Sequence, residues 1–331
     1  MRARRSIIPV FVPHLGCPRD CVFCNQRSIA APHEPSIDEV AGEIEKALIY
    51  SGDGAELAYY GGSFTAIERE KRVGYLETAQ PFLRDGRLSS IRVSTRPDAI
   101  DDEIIEELHR YGVKTVELGA QSTDDRVLEL SNRGHTREDI ERASAKLKSE
   151  GFDLGLQMMI GLPGEKEDGH IRTARDLVDF GADFVRVYPT VVVKNTRLEE
   201  LWRSGEYKAL TPEEAAELSA DVIEIFESAS VPIIRLGLNP TEEMNGEAVA
   251  GAYHPALGEM ARSVVMRRRA AALLEQHRGA ETVTLFVPKG RTSMMVGQKR
   301  INIENLTKEF DIKQLKVVES AALEGFEVEM R

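Results

Sequence analysis

Cysteine is scarce in this chain: 331 residues hold three, all between positions 17 and 24. An odd set confined to one short loop cannot form a disulfide framework, so the thiols read as a ligand set. Long apolar runs are also missing. None approaches the ~20 residues a bilayer span needs. The basic start, Met1 to Arg5, runs into a short strand-like segment, 6–12, with no small-residue cleavage site, which is not the pattern of a signal peptide. The expectation is a cytoplasmic protein away from membranes. Aromatic residues make up 6% of the chain, with one Trp, so a surface that stacks bases is not evident. Repeats and low-complexity tracts are absent as well.

What is present suits a globular protein: 42% hydrophobic residues, 26 Gly and 14 Pro. The length allows one large domain plus a small one. The net charge is -12, but it is unevenly placed. Between Arg262 and Arg300 nine Lys and Arg face two acids, Glu275 and Glu281, a local balance of +7. Such asymmetry points weakly to an anionic partner.

Short β-rich runs alternate with longer amphipathic ones. Strands are expected at 7–12, 56–60, 90–94, 115–118, 154–160 and 184–188. Helices are expected at 37–51, behind the N-cap Ser36, and at 101–111, 138–150 and 169–180, the last three closed by Gly112, Gly151 and Gly181. This repeated βα pattern predicts parallel strands with helices outside, and chemistry at the C-terminal ends of the strands. Beyond Tyr188, Thr211-Pro212-Glu213-Glu214 opens a helix to about 228. Further elements are a possible strand at 231–236, a helix at 257–277, and a small α+β unit with strands at 282–287, 315–318 and 325–329 around a helix at 302–310. The fold class is therefore α/β: a partial parallel (β/α)6 barrel with a small C-terminal α+β domain. The expected divisions are 1–235 for the barrel, 236–280 for a helical extension and 281–331 for the small domain.

Cys17, Cys21 and Cys24 lie on one loop directly after the first expected strand, with Gly16 and Pro18 shaping the loop and Phe23 adding an apolar wall. Three thiolates so spaced can hold three corners of a cubane iron-sulfur cluster and leave one iron open. Zinc as Cys3His, with His14 as fourth ligand, is the competing ligand set. The Cys-x3-Cys-x2-Cys spacing after a first strand resembles the signature of the radical S-adenosylmethionine (SAM) superfamily. That resemblance implies a 4Fe-4S cluster, SAM chelated at the open iron, and a 5′-deoxyadenosyl radical formed by reductive cleavage.

Within that resemblance, Gly61-Gly62-Ser63 after the second strand is similar to the motif that takes the methionine amino group, with two glycines allowing close backbone approach. Compared with the oxygen-independent coproporphyrinogen oxidases, Gln121 and Arg133 stand at matching positions with the same separation. This implies a ribose contact and a methionine carboxylate contact, and an Arg fork suits a carboxylate. Ser94 and Gln157 replace that group's acidic residues after strands three and five and can still hydrogen-bond. Ser94, Gln157 and Glu117 read equally well as polar filling inside a barrel.

Several runs narrow the resemblance: Gly61-Gly62-Ser63-Phe64-Thr65, Thr95-Arg96-Pro97-Asp98, 116–122, 132–136, Met158-Met159-Ile160-Gly161-Leu162-Pro163-Gly164, 187–196 and 201–207. In this order they closely resemble the radical SAM domain of the Elongator catalytic subunit, over roughly residues 5–230. That family modifies wobble uridine in tRNA and joins this domain to an acetyltransferase. The departures are a shorter first cysteine gap, Asn25-Gln26 in place of Pro-Gly-Gly, Gln157 in place of a His, and too few residues after 230 for the acetyltransferase. The expectation is a divergent relative whose substrate may differ from that family's.

The segment 290–303 faintly resembles a KH-type RNA module, with Arg300 where the second loop glycine belongs. Its Lys and Arg suit phosphates. The alternative is a solvated basic face, as it is for Arg267-Arg268-Arg269. Tyr253 and His254, like 235–240, are expected near the open end of the barrel, either touching substrate or serving structure. Three functions compete: an enzyme that modifies tRNA or another RNA through 262–300, one that acts on a small molecule such as a tetrapyrrole, and a non-enzymatic metal-binding module. The superfamily resemblance implies reduction by an external flavodoxin or ferredoxin.

Overall fold

The computed structural model describes residues 6–12, 15–25, 33–238 and 242–330. The strands β1 (Ile7–Val12), β2 (Ala55–Gly61), β3 (Leu88–Thr95), β4 (Val113–Gln121), β5 (Asp153–Ile160) and β6 (Phe184–Pro189) are followed by the short β7 (Val191–Val193) and by β8 (Ile233–Leu236). Seven of them form one parallel sheet in the order β1-β2-β3-β4-β5-β6-β8. This is the expected partial α/β barrel with a correction in number. The run at 231–236 joins as a seventh strand, paired with β6. Central strands such as β5 are buried on both faces and so read as nearly unbroken apolar runs. The edge strand β1 alternates, burying Ile8, Val10 and Val12 and exposing Ile7 and Phe11.

Helices α1 (Ile37–Ser51), α2 (Arg69–Thr78), α3 (Gln80–Arg84), α4 (Asp102–Arg110), α5 (Asp125–Leu130), α6 (Arg137–Ser149) and α7 (Gly169–Asp179) connect the first six strands. Their starts follow local chemistry. Ser36 and Thr136 each close a reciprocal capping box, and Asp101 and Asp124 accept from the first-turn amides. Beyond β7 come α8 (Arg197–Ser204) and α9 (Pro212–Ser228), the latter with Thr211 as N-cap and Pro212 at its first position.

After β8 the chain forms α10 (Glu242–Glu247), β9 (Ala248–Gly251) and α11 (Leu257–Leu274). Strand β9 pairs antiparallel with β7, a two-stranded sheet that the sequence did not suggest. The C-terminal unit is β10 (Thr282–Pro288), α12 (Thr292–Val296), α13 (Ile301–Phe310), β11 (Gln314–Ser320) and β12 (Glu329–Met330). Here β10 runs parallel to β11 and antiparallel to β12. The strand expected at 325–329 is displaced to Glu329–Met330, because Gly325 takes a left-handed φ of 59° that breaks the extended chain.

Two apolar cores result. Leu257, Ala261 and Val265 on α11 pack into the barrel core, while Met266, Ala270 and Leu274 pack into the core of the C-terminal unit. The four-residue spacing within each trio places it on one helical stripe. Among the described residues no helix is long and apolar enough to cross a membrane.

Candidate active site at the strand ends

Strand β1 delivers the chain into the cysteine loop, and the loop is fastened from several sides. Ser63 N donates to Leu15 O at 2.8 Å, Val22 N to Ser131 O at 3.2 Å and Leu198 N to Val22 O at 2.8 Å. Asn132 Nδ2 donates to Asp20 O at 2.8 Å, and Asn25 Nδ2 to Lys194 O at 2.9 Å. Val22 is buried against Val192, Leu198 and Tyr207.

Glycine is required where this loop meets the turn after β2. A Cβ on Gly62 would sit 2.1 Å from Leu15 O, and one on Gly16, at φ +69°, would sit 2.1 Å from Ser63 O. The close approach that these glycines permit is thus between two stretches of the protein's own backbone.

All ten residues singled out from the sequence line one cavity of about 600 Å3: Cys17, Cys21, Cys24, Gly61, Gly62, Ser63, Ser94, Gln121, Arg133 and Gln157. They come from the first five strands and the loops that follow them. Another cavity, of about 640 Å3 between α9, α11 and the α12–α13 connection, contains none of them. Chemistry rather than volume selects the first. Cys17 Sγ lies 3.5 Å from Ser63 Oγ. No group of three His, Cys, Asp or Glu side chains among the described residues closes on a single-ion site. His14, the fourth ligand of the zinc alternative, lies outside the described residues, as do Asn239 and Pro240.

Arg133 donates from Nη1 to Cys21 Sγ at 3.1 Å and from Nη2 to Gly119 O at 2.6 Å. Its Nε is buried without a partner, as is Ser94 Oγ. Gln121 holds a left-handed φ of 68°, unusual for a residue with a Cβ, where the β4–β5 register shifts. A Cβ on Gly119 would fall 2.9 Å from Gln121 Nε2 and 3.1 Å from Arg133 Nη2. That glycine therefore leaves the space in which Gln121 and Arg133 meet. Buried polar atoms without partners cost about 1–3 kcal/mol each, and a polar ligand here would satisfy Ser94 Oγ and Arg133 Nε. These observations fit a cofactor that presents hydrogen-bonding groups to this wall.

The sequence reading took Glu117 as polar filling and passed over the charged network around it beneath the cavity. Glu117 is fully buried and accepts from Arg92 Nη1 at 2.7 Å, Arg186 Nε at 2.6 Å, Gln157 Nε2 at 3.0 Å and Tyr60 OH at 3.3 Å. Burial alone would raise its pKa, but Arg186 and Arg92 outweigh that and hold the carboxyl below the ordinary range. Arg92 also binds Glu56, at 2.7 Å. Burial raises the Tyr60 phenol, and Glu117 adds to the rise.

Glu117 is thus the hub of an ion network, and Gln157 reaches the cavity with its amide tied to that hub. Arg96, held by Asp98 through two bonds of 2.9 and 2.8 Å, and Tyr188 are further lining residues that the sequence reading had not assigned a role. An Arg amid the apolar residues of β6 was the available signal for Arg186. His254 Nδ1 accepts from Ala256 N at 3.1 Å at the start of α11, and Tyr253 packs with Val191, Val193 and Met244. Neither residue lines the cavity that holds the cysteines.

Comparison with known proteins agrees with this geometry. The radical SAM superfamily model matches residues 11–177, and the radical SAM C-terminal domain model matches 182–267. The chain is 32% identical over 164 residues to a tRNA uridine(34) acetyltransferase of Methanocaldococcus jannaschii, covering 49% of this chain and 29% of that protein. It is 27% identical over 221 residues to Elongator complex protein 3 of Saccharomyces cerevisiae, covering 60% of this chain and 40% of that one. The chain therefore spans well under half of either relative. The structure of the archaeal Elp3 of Methanocaldococcus infernus superposes with a TM-score of 0.64 at 24% identity, over 80% of this chain and 63% of that one, and so shares the fold. The reading as a non-enzymatic metal module is set aside: this protein belongs to the radical SAM superfamily, as an enzyme related through its barrel to Elp3.

Proposed function

We propose that Cys17, Cys21 and Cys24 hold a 4Fe-4S cluster, that Gly61, Gly62, Ser63, Ser94, Gln121, Arg133 and Gln157 bind SAM, and that the substrate is an RNA, with tRNA foremost. The observation that carries this reading is convergence: ten residues spread over 140 positions of sequence face one cavity, where Ser94 Oγ and Arg133 Nε are buried without partners. Such a cluster, with SAM on its open iron, supplies one-electron cleavage to a 5′-deoxyadenosyl radical.

The residues of the chain do the placing. The cysteine loop is pinned by backbone contacts at Leu15 and Val22, which hold the thiols at the strand ends. Arg133 links Cys21 to β4 and keeps Nε for a carboxylate, a role its charge suits. Gln121 takes the ribose, Ser94 and Gln157 offer further hydrogen bonds, and Gly61-Gly62-Ser63 face the amino group. Phe23 and Tyr60 on the cavity wall limit water.

The RNA substrate is supported by the names of the tRNA-modifying relatives and by the cation-rich segment 262–300. Two separate cores support a division into a barrel at 1–235, a helical extension at 236–280 and a KH-like small domain at 281–331, with α11 shared between them. A flavodoxin or ferredoxin in the cytoplasm would supply the electron. The test is anaerobic reconstitution with iron, sulfide, SAM and dithionite, scoring 5′-deoxyadenosine with and without bulk tRNA. We expect about four irons per chain, their loss in Cys17→Ala, and more 5′-deoxyadenosine with tRNA. Stimulation by a tetrapyrrole and not by tRNA would replace the RNA reading with the small-molecule one.

A further inference from the structure

The nine cations between Arg262 and Arg300 divide into two groups once the chain is folded. Arg267 binds Glu217 at 2.6 Å, Arg268 binds Asp221 at 2.6 Å, and Arg269 binds Glu227 at 2.5 Å. Arg278 binds Glu275 at 2.9 Å. The Arg267-Arg268-Arg269 run is therefore neutralised by acids of α9 and offers little to an outside anion. Among the described residues the other five, Arg262, Lys289, Arg291, Lys299 and Arg300, make no ion pair.

Arg262 lies on α11, and the segment that carries the other four packs against that helix through α12 and α13. Arg262 folds back toward the start of α11 and donates from Nη1 to Gly258 O at 2.9 Å. A Cβ on Gly258 would lie 3.0 Å from both Arg262 Nη1 and Leu236 O, so Arg262 sits beside the end of β8. Strand β8 pairs with β6, whose Arg186 and Tyr188 line the cavity. Arg262 thus stands by the C-terminal end of β8, one strand beyond β6.

Arg291, on the β10–α12 turn, stacks over Phe326 at 5.5 Å and comes near enough to Arg262 to depress its pKa further, beyond the larger effect of burial. Glu319 accepts at Oε1 from Gly290 N and Thr292 Oγ1, both at 3.0 Å, and makes no pair with Arg291. On the other side, Asn302 Nδ2 donates to Ser263 Oγ at 2.9 Å and Met295 O at 3.1 Å. This fastens the α12–α13 connection beside Arg262. That connection carries Lys299 and Arg300, both exposed and both left-handed, with φ of 50° and 65°.

Cations on elements packed together, with no carboxylate to pair them, repel each other unless an anion lies between them. Phosphate answers that need, because it accepts from an Arg fork in two directions. On a chain of net charge -12, an unneutralised basic patch also stands out as a place where a polyanion concentrates. We propose that Arg262, Lys289 and Arg291, with Lys299 and Arg300 beyond Ser263, form a phosphate-binding face that grips the backbone of the RNA substrate beside the mouth of the barrel. This rests on the RNA reading given above and adds where the RNA is held.

The test is binding of fluorescent bulk tRNA to the anaerobically reconstituted protein across a salt series. For the wild type, log affinity falls steeply with log salt. Arg262→Gln/Arg291→Gln weakens binding at low salt by about tenfold or more and flattens the slope by about 1.4 to 1.8, the change for two lost phosphate contacts. Its iron content stays at the wild-type level. Lys299→Gln/Arg300→Gln, at two exposed positions, shows a similar loss, and an unchanged thermal melt and iron content show that the variant is folded. Arg269→Gln, on the same helix but paired with Glu227, leaves the slope unchanged. If wild-type protein binds tRNA and both double variants match it, this face is wrong and the RNA reading stands. If wild-type protein shows no salt-sensitive affinity for tRNA, both fall together.

Discussion

Arg133 and Cys21 are joined by a 3.1 Å contact from Nη1 to Sγ, although they lie 112 residues apart in sequence. The same guanidinium reaches Gly119 O, so it spans from the thiol loop to strand β4. A cation beside a sulfur ligand also offsets the negative charge that the sulfur carries when it binds metal. The cysteine loop and the wall of the cavity are therefore coupled through one side chain.

Arg133→Lys tests that coupling. Lysine keeps the charge but loses the planar fork. The three thiols remain, so iron content should stay near four per chain. Affinity for SAM should fall by roughly 10- to 100-fold, the equivalent of about 1.5–3 kcal/mol for a lost charged hydrogen bond. Equilibrium dialysis with labelled SAM measures it. Unchanged SAM affinity would remove Arg133 from the site.

Gly62→Ala should displace the cysteine loop, because its new methyl would lie 2.1 Å from Leu15 O. Relief requires backbone movement, and we expect a loss of at least about 2 kcal/mol together with reduced iron uptake. Gly42→Ala is the comparison. Gly42 lies on α1 with nothing within 4 Å of an added Cβ, so that change should stabilise the protein by about 0.5–1 kcal/mol. Thermal melts and iron analysis of the two variants decide.

Removing the hub of the buried ion network leaves a buried cation without a carboxylate. Glu117→Ala takes from Arg186 its ion pair and leaves Arg92 with Glu56 alone. The expected cost is about 3–5 kcal/mol, read as a lowered midpoint in urea. A change under 1 kcal/mol would mean that water replaces the carboxylate.

Stability should depend on pH through two groups of opposite sign. Burial, and then the charge of Arg133, push His135 down from 6.5 to about 4. The unfolded chain therefore binds that proton more readily, and the contribution of neutral His135 is lost as pH falls from 6.5 toward 4. Burial pushes Glu165 up from 4.5 to about 7, against hydrogen bonds from Gly161 and Leu162. Its contribution is present at low pH and is lost as pH rises from 4.5 through 7. In urea titrations at successive pH values, His135→Gln should flatten the acid-side loss and Glu165→Gln the loss toward neutrality. A variant with the wild-type profile would show that its group does not titrate in the fold.

Much of the barrel was legible because its signals are local. Ser36 and Thr211-Pro212 cap the helices they announce, and the alternation of β-rich and amphipathic runs places the first six strands. The cysteine loop was legible for the same reason: its three thiols lie within eight residues. Partnerships across long sequence distances were not. Nothing near Val191 announces β9, more than fifty residues later. The Arg267-Arg268-Arg269 run looks like a free basic patch until α9 brings Glu217, Asp221 and Glu227 against it. Gln157 reads as a possible ligand or as filling, and its bond to Glu117 shows that it serves the floor while facing the cavity. Gly62 was legible as a place of close approach, but what approaches there is the neighbouring loop, and Gly16, read only as shaping its own loop, meets Ser63 in the same way.

The sheet runs from β1 to β8 without those two strands meeting. A closed cylinder admits only what can be lowered in from its end, whereas a wall with a gap has a doorway in its side. A polymer can lie across such a doorway and turn a single unit inward without threading a free end. Among the described residues the unpaired edges of β1 and β8 are therefore where a substrate larger than the chamber would come in.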